Sequence, residues 1–383
     1  MYMAQKRNVG VWAMMGIFII AGIVCGLVAG WYFSAQWEKE LTINVFLMDI
    51  IVFLAIIYLS VFLQAIIHEL GHLVCGLLTH YRFASFRVGW FALIRDKEKF
   101  KLKLLKMPGT MGQCLMVPPD IEGGKFPYVL YNFGGVFFNA LSALIFALLF
   151  LLCGNISFLA LFLSAVAVIG LACAIANGVP MRNKMVANDG YNLLSLYKNP
   201  RAAYAFWVQL KAAHETVNGA RLKDMPKKWF YFPREEDLKN SMCAVIAVFC
   251  ANRLMDEHDF VRAREMNDRL LASQIPLAGI YRGLTACDRI YCECLGDKSP
   301  EIFNALLNEE QLKFMNSMKS SLAVLRTQYA LKLLYEQDNQ GAEKIKMDFE
   351  RFAANYPYKG DAQSERELMF IAEQAALGDL THK

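Results

Sequence analysis

Four apolar runs, each long enough to cross a lipid bilayer as a helix, dominate the first 180 residues. A hydrocarbon core about 30 Å thick takes roughly 20 helical residues. Inside it every backbone amide must be satisfied by the segment itself, which leaves helices or closed barrels. The chain therefore reads as a mainly α, polytopic membrane protein with about four transmembrane helices. The runs cover roughly residues 9–33, 45–79, 127–153 and 156–179. The second is too long for a straight crossing. Its 35 residues would measure about 52 Å as one helix, so it must tilt, break or protrude. The first follows Lys6-Arg7. It is longer than a signal-peptide core and has no obvious small-residue cleavage site, so a retained helix is expected.

Charge divides the chain in two. Of 383 residues, 56% are hydrophobic and only 20% charged, which excludes a disordered chain. Residues 1–200 carry a net charge of +6 and residues 201–383 carry −1. Basic residues flank the apolar runs, and cytoplasmic loops collect Lys and Arg. Lys6 and Arg7 precede the first run, and only Lys39 follows it. Residues 81–126 hold nine basic residues, and Arg182, Lys184 and Lys198 follow the fourth run. Four crossings with both termini in the cytosol place 14 of these 15 charges inside. The expected location is thus an integral, multi-pass membrane protein with its N-terminus and C-terminal domain cytosolic.

The basic loop has structure of its own. Phe100-Lys101-Leu102-Lys103-Leu104 alternates strictly, residues 83–94 are aromatic and β-branched, and Asp96-Lys97-Glu98-Lys99 reads as a turn. A cytosolic β-hairpin over about 82–106 is expected. It could lie against anionic lipid, or offer its edge to an unwound peptide as an added strand. Residues 1–198 form the membrane domain. Residues 199–234, with Pro226 and Pro233, read as a linker. Beyond them, turn signals near His258-Asp259, residues 297–300 and residues 339–341 recur about every 40 residues, a spacing within the range of helical repeats. An all-α domain of helical hairpins, resembling tetratricopeptide-type repeats, is expected over 235–383. Such arrays bind protein partners, so a cytosolic partner is a candidate occupant. No nucleic-acid partner is expected. Cys287, Cys292 and Cys294 lack zinc-ligand spacing and read as free thiols.

The second run contains Ile67-His68-Glu69-Leu70-Gly71-His72-Leu73. His68 and His72 are four apart, so one helix face carries both imidazoles and can present them to one metal ion. Glu69 sits beside them, where a carboxylate can take a proton from an activated water. Ionisable residues are expensive in lipid and mark function there. A hydrolytic zinc site takes three protein ligands and keeps one position open. Asp189, in Asn188-Asp189-Gly190 after the fourth run, is the best third ligand. Asp49, Asp120 and Glu122 compete with it, and Asp-Gly also suits a turn or cap. His80, His214, His258 and His382 lack ligand spacing.

His-Glu-Leu-Gly-His on one membrane helix, Gly134-Gly135-Val136-Phe137-Phe138-Asn139 on a later one, then Asn177-Gly178-Val179-Pro180 and Asp189-Gly190 together resemble the site-2 protease family of intramembrane zinc metalloproteases. The resemblance spans roughly residues 45–198. It implies Zn2+ as cofactor, with His68, His72 and Asp189 as metal ligands. It implies Glu69 as catalytic base and Asn139 near the substrate or oxyanion. The substrate would be a transmembrane protein or peptide precursor, cleaved within or near its membrane segment. Two departures stand out. Eight residues separate Pro180 from Asp189 where the family has a shorter Pro-containing path, and no PDZ-like or CBS-like regulatory domain follows. His72 lies seven residues before Thr79, about 10 Å at helical rise, so water should enter from the cytosolic side. A non-catalytic zinc scaffold that recruits partners through its C-terminal domain is the alternative. A metal transporter fits less well, because only Asp49 and Glu69 are acids within the apolar helices.

Overall fold

The structure is a computed structural model that describes residues 9–37, 42–96, 99–104, 111–153, 158–181, 187–272, 275–356 and 358–378. Lys6-Arg7, Lys39, Lys97-Glu98, Lys106, Gly154-Asn155, Arg182, Lys184 and His382 lie outside the described residues. The chain divides into two compact units. One is drawn from residues 1–95 and 100–197, and the other is built on residues 198–383.

The first unit holds α1 (Val9–Trp37), α2 (Ile43–Leu78), α3 (Tyr128–Cys153), α4 (Phe158–Gly178) and the short α5 (Asp189–Leu196). The first four are long and apolar enough to span a membrane. α2 is one unbroken helix of 36 residues, roughly 54 Å at helical rise. Of the three ways to fit so long a segment, it does not break. Thr42 caps its start, accepting from Val45 N at 3.4 Å. Its end is closed by Tyr81 N donating to Gly76 O at 2.9 Å. The helix is apolar all round, yet its buried positions include Asp49, Ser60, Gln64, Glu69, Gly71, His72 and Gly76. Leu47, Ile51, Leu54 and Tyr58 face outward. Small and polar residues inside with large apolar ones outside is the pattern of a helix packed in lipid. α4 is the central element. Of its most apolar window 56% is buried, against 11% for α2, and it packs on α1, α2 and α3.

Between α2 and α3 lies a four-stranded antiparallel sheet of order β3-β2-β1-β4, rather than a single hairpin. The strands are β1 (Arg82–Val88), β2 (Phe91–Asp96), β3 (Lys99–Leu104) and β4 (Gly112–Val117). The aromatic stretch over 83–94, expected as one strand, folds back on itself at Gly89-Trp90, where Gly89 has φ +58°. Ser85 thus faces Ile94, and Val88 faces Phe91. β4 pairs with the other side of β1, Arg87 opposite Gln113 and Val88 opposite Gly112.

The second unit is all helical. It contains α6 (Pro200–Val217), α7 (Ser241–Asp256), α8 (Phe260–Ala272), α9 (Gly279–Leu295), α10 (Pro300–Leu306), α11 (Glu309–Ser317), α12 (Leu322–Ala330), α13 (Asn339–Ala353) and α14 (Lys359–Leu377). Residues 199–234, expected as a linker, belong to this unit. α6 packs on α7, with Ala202, Ala205 and Val208 fully buried. Successive helices stack from α6 to α9, and α14 returns to pack on α6. The expected turn at 339–341 is the first turn of α13, capped by Asp338, which accepts from Gly341 N at 2.8 Å. Cys287, Cys292 and Cys294 are buried free thiols in the core beside Tyr291 and Phe303.

Candidate metal centre

The i, i+4 spacing puts His68 and His72 on the inner face of α2. Their rings meet edge to face with centroids 4.8 Å apart, and their Nε2 atoms are 3.2 Å apart. Asp189 reaches them from α5. Asn188 holds it there by accepting from Met181 N and Tyr191 N, each at 2.9 Å. The Asn188 amide also donates to Ala176 O at 2.7 Å and Val179 O at 2.6 Å. One side chain thereby bolts the start of α5 to the end of α4. Residue 190 must be glycine, since a Cβ there would sit 2.2 Å from Gly178 O. Asn188 N also donates to Met181 O at 3.1 Å.

Asp189 Oδ2 lies 3.0 Å from His68 Nε2 and 3.5 Å from His72 Nε2. It is buried and has no partner with hydrogen-bond geometry. A carboxylate oxygen and two ring nitrogens thus face one point. Among the described residues, His68, His72 and Asp189 are the one set of three that could hold a metal ion. The rival acids do not reach it. Asp120 and Glu122 are exposed. Asp49 is 19 residues before His68 on α2, about 28 Å along the axis.

The far sides of both rings are also engaged. His72 Nδ1 lies 2.8 Å from Tyr131 O, and His68 Nδ1 lies 2.7 Å from Asn139 Oδ1. Asn139 is therefore behind His68. It is fully buried, and its amide donates to Gln64 O at 3.0 Å and Gln64 Oε1 at 2.7 Å.

Glycines shape the centre. Gly71 and Gly134 let α2 and α3 cross in contact, since a Cβ on either would lie 2.3–2.4 Å from the other's carbonyl oxygen. Gly135 leaves room for the His68 ring. Glu69 is buried against β4, where a Cβ on Gly112 would be 2.3 Å from Glu69 Oε1. Tyr131 joins these parts. Its hydroxyl donates to Cys114 O of β4 at 2.9 Å, and its ring stacks on Tyr81 at 4.7 Å. Beside Asp189 lies a cavity of about 270 Å³ lined by Phe133, Val136, Pro180, Leu193 and Leu194. Gln64, Tyr131, Gly112 and Asn188 were not singled out by the sequence. A Gln four residues before His68, on the same helix face, was the one available signal.

No family model, no characterised protein and no solved structure matches this chain.

Proposed function

We propose that this chain is an intramembrane zinc metalloendopeptidase of the site-2 protease kind. The observation that carries this reading is the convergence of His68 Nε2, His72 Nε2 and the orphaned Asp189 Oδ2 within 4.8 Å of one another. Two neutral imidazoles and one carboxylate are a ligand set that zinc takes in hydrolases. A buried anionic oxygen with no hydrogen-bond donor is what a cation would satisfy. The chemistry zinc supplies when bound is Lewis-acid activation of water and of the scissile carbonyl.

The protein's own groups do the rest. Glu69 adjoins the ligands without joining them, as a general base must. It accepts a proton from water and returns it to the leaving amine. Asn139 and the Tyr131 carbonyl orient the two rings. β4 is an edge strand lying against Glu69. An unwound substrate segment pairing there as an added strand would bring its peptide bond to the base. The cytosolic placement of both termini, and the reading of the helical unit as a tetratricopeptide-like surface for a cytosolic partner, belong to the same proposal. Three ligands with a base beside them favour catalysis over a structural scaffold, whose site would be closed by four.

Glu69→Gln tests the reading. Membrane fragments from cells making wild type or variant are compared by mass spectrometry. The variant keeps its metal and loses its cleavage products. Unchanged products would refute the role of Glu69.

A further inference from the structure

His68 and His72 are fixed by different means. The ring of His72 faces a backbone carbonyl, which can only accept, so its Nδ1 must carry the proton. His68 faces an amide oxygen, and an amide can turn over. We propose that Gln64 is a positioning residue that fixes the His68 tautomer through Asn139, and thereby sets the affinity of the metal centre. This rests on the metal-site reading above.

Two main-chain carbonyls, Val166 O and Gln64 O, fix the order of atoms. Gln64 Nε2 is 3.0 Å from Val166 O on α4. That oxygen only accepts, so the Gln64 nitrogen must face it. Gln64 Oε1 is then turned to Asn139 Nδ2 at 2.7 Å and to Ser142 Oγ at 3.1 Å. Asn139 Nδ2 is held a second time by Gln64 O at 3.0 Å. Asn139 Oδ1 is therefore left for His68 Nδ1 at 2.7 Å, which must be protonated. The lone pair of His68 stands on Nε2, facing Asp189. With the Asn139 amide reversed, Nδ1 would have to accept, and a proton on Nε2 would occupy the metal position. Gln64 and Asn139 are fully buried and Ser142 nearly so, so water does not replace a missing partner. α4 makes room for the relay at Gly170, where a Cβ would sit 2.5 Å from Gln64 Nε2. Outer partners of metal-binding histidines are worth 10–100-fold in metal affinity.

Full-length wild type, Gln64→Leu, Ser142→Ala and the double variant Gln64→Leu/Asn139→Asp would be compared in lipid nanodiscs. Zinc affinity is read by competition with a chromophoric chelator. The His68 and His72 tautomers are read by 15N-histidine NMR of metal-free protein. Gln64→Leu keeps the main-chain Gln64 O against Asn139 Nδ2 and loses the side-chain hold, so it should bind zinc about 10-fold more weakly and show a fraction of Nε2–H signal at His68 but none at His72. The added Asn139→Asp should restore the Nδ1–H form, because a carboxylate can only accept, and should recover affinity. Ser142→Ala, the milder change, should move both readouts in the same direction by less, and it decides the matter if Gln64→Leu does not fold. An affinity within twofold of wild type with His68 wholly Nδ1–H would overturn the proposal. Wild type that binds no zinc would overturn the metal-site reading and the affinity half of this one, and the tautomer readout then judges the relay alone.

Discussion

Gly135→Ala is the sharpest single perturbation of the centre. A Cβ at 135 would lie 2.5 Å from His68 Cε1, 2.6 Å from Nε2 and 2.7 Å from Nδ1. Carbon contacts settle near about 3.5 Å, so ring and methyl must part by about 1 Å. The backbone cannot supply that movement, because Gly134 next door is already in contact with Gly71 across the helix crossing. The ring itself is pinned by Asn139 at 2.7 Å. Metal–ligand distances tolerate only about 0.2 Å. A displacement several times larger removes His68 as a ligand and leaves two. We expect zinc affinity to fall at least about 100-fold, above the range for outer-sphere changes, and cleavage to be lost. The assay is chelator competition on purified protein, with helix content by circular dichroism to verify folding. Gly26→Ala on α1, where nothing lies within 4 Å of an added Cβ, is the control. A folded Gly135→Ala protein with wild-type zinc affinity would refute the reasoning.

Gly112→Ala should separate base from metal. The added Cβ falls 2.3 Å from Glu69 Oε1, so cleavage should drop by the ~10²–10⁴-fold that general acid–base catalysis supplies, while zinc affinity stays unchanged; a matching loss of zinc would contradict this. Asp361, in the first turn of α14, has its carboxyl pushed up to about 7 by burial and then by the charges of Glu365 and Asp256. Its neutral form is the one the fold favours. Its contribution to stability is therefore fully present below about pH 4, is lost as pH rises towards about 7, and changes no further above. Asp361→Asn should thus match wild type near pH 4 and exceed it at pH 8 by about 2–4 kcal/mol. Urea unfolding of the full chain at both pH values is the measurement, and equal midpoints at pH 8 would count against the burial argument.

The membrane helices were legible because lipid imposes one strong rule, an apolar run of sufficient length. The second run was placed at 45–79 and lies at Ile43–Leu78. The two histidines were legible because helical periodicity alone puts positions four apart on one face. Asp189 was not readable by that logic. Its placement depends on Asn188 bridging two helix ends and on Gly190 allowing their contact, which are tertiary facts. The sheet was only half legible. Alternation in Phe100–Leu104 announced β3, but the apolar stretch before it hid a reversal at Gly89. β4 begins Gly-Gln-Cys and carries no alternation to read. Segment 199–234 looked like a linker because its prolines are local signals. The burial of Trp229 and Phe230 that ties it down is not local. Gln64 was invisible for the same reason: a lone glutamine in an apolar helix shows its meaning only when its partners are in place.

X-ray absorption at the zinc edge, on full-length protein purified with zinc, measures the proposed coordination directly. One zinc per chain is predicted, with two nitrogen ligands at about 2.0–2.1 Å and carboxylate oxygen at about 2.0–2.2 Å, and with the metal lost from Asp189→Ala and His68→Ala. Protein that holds no zinc, or that holds it equally well in both variants, would contradict it.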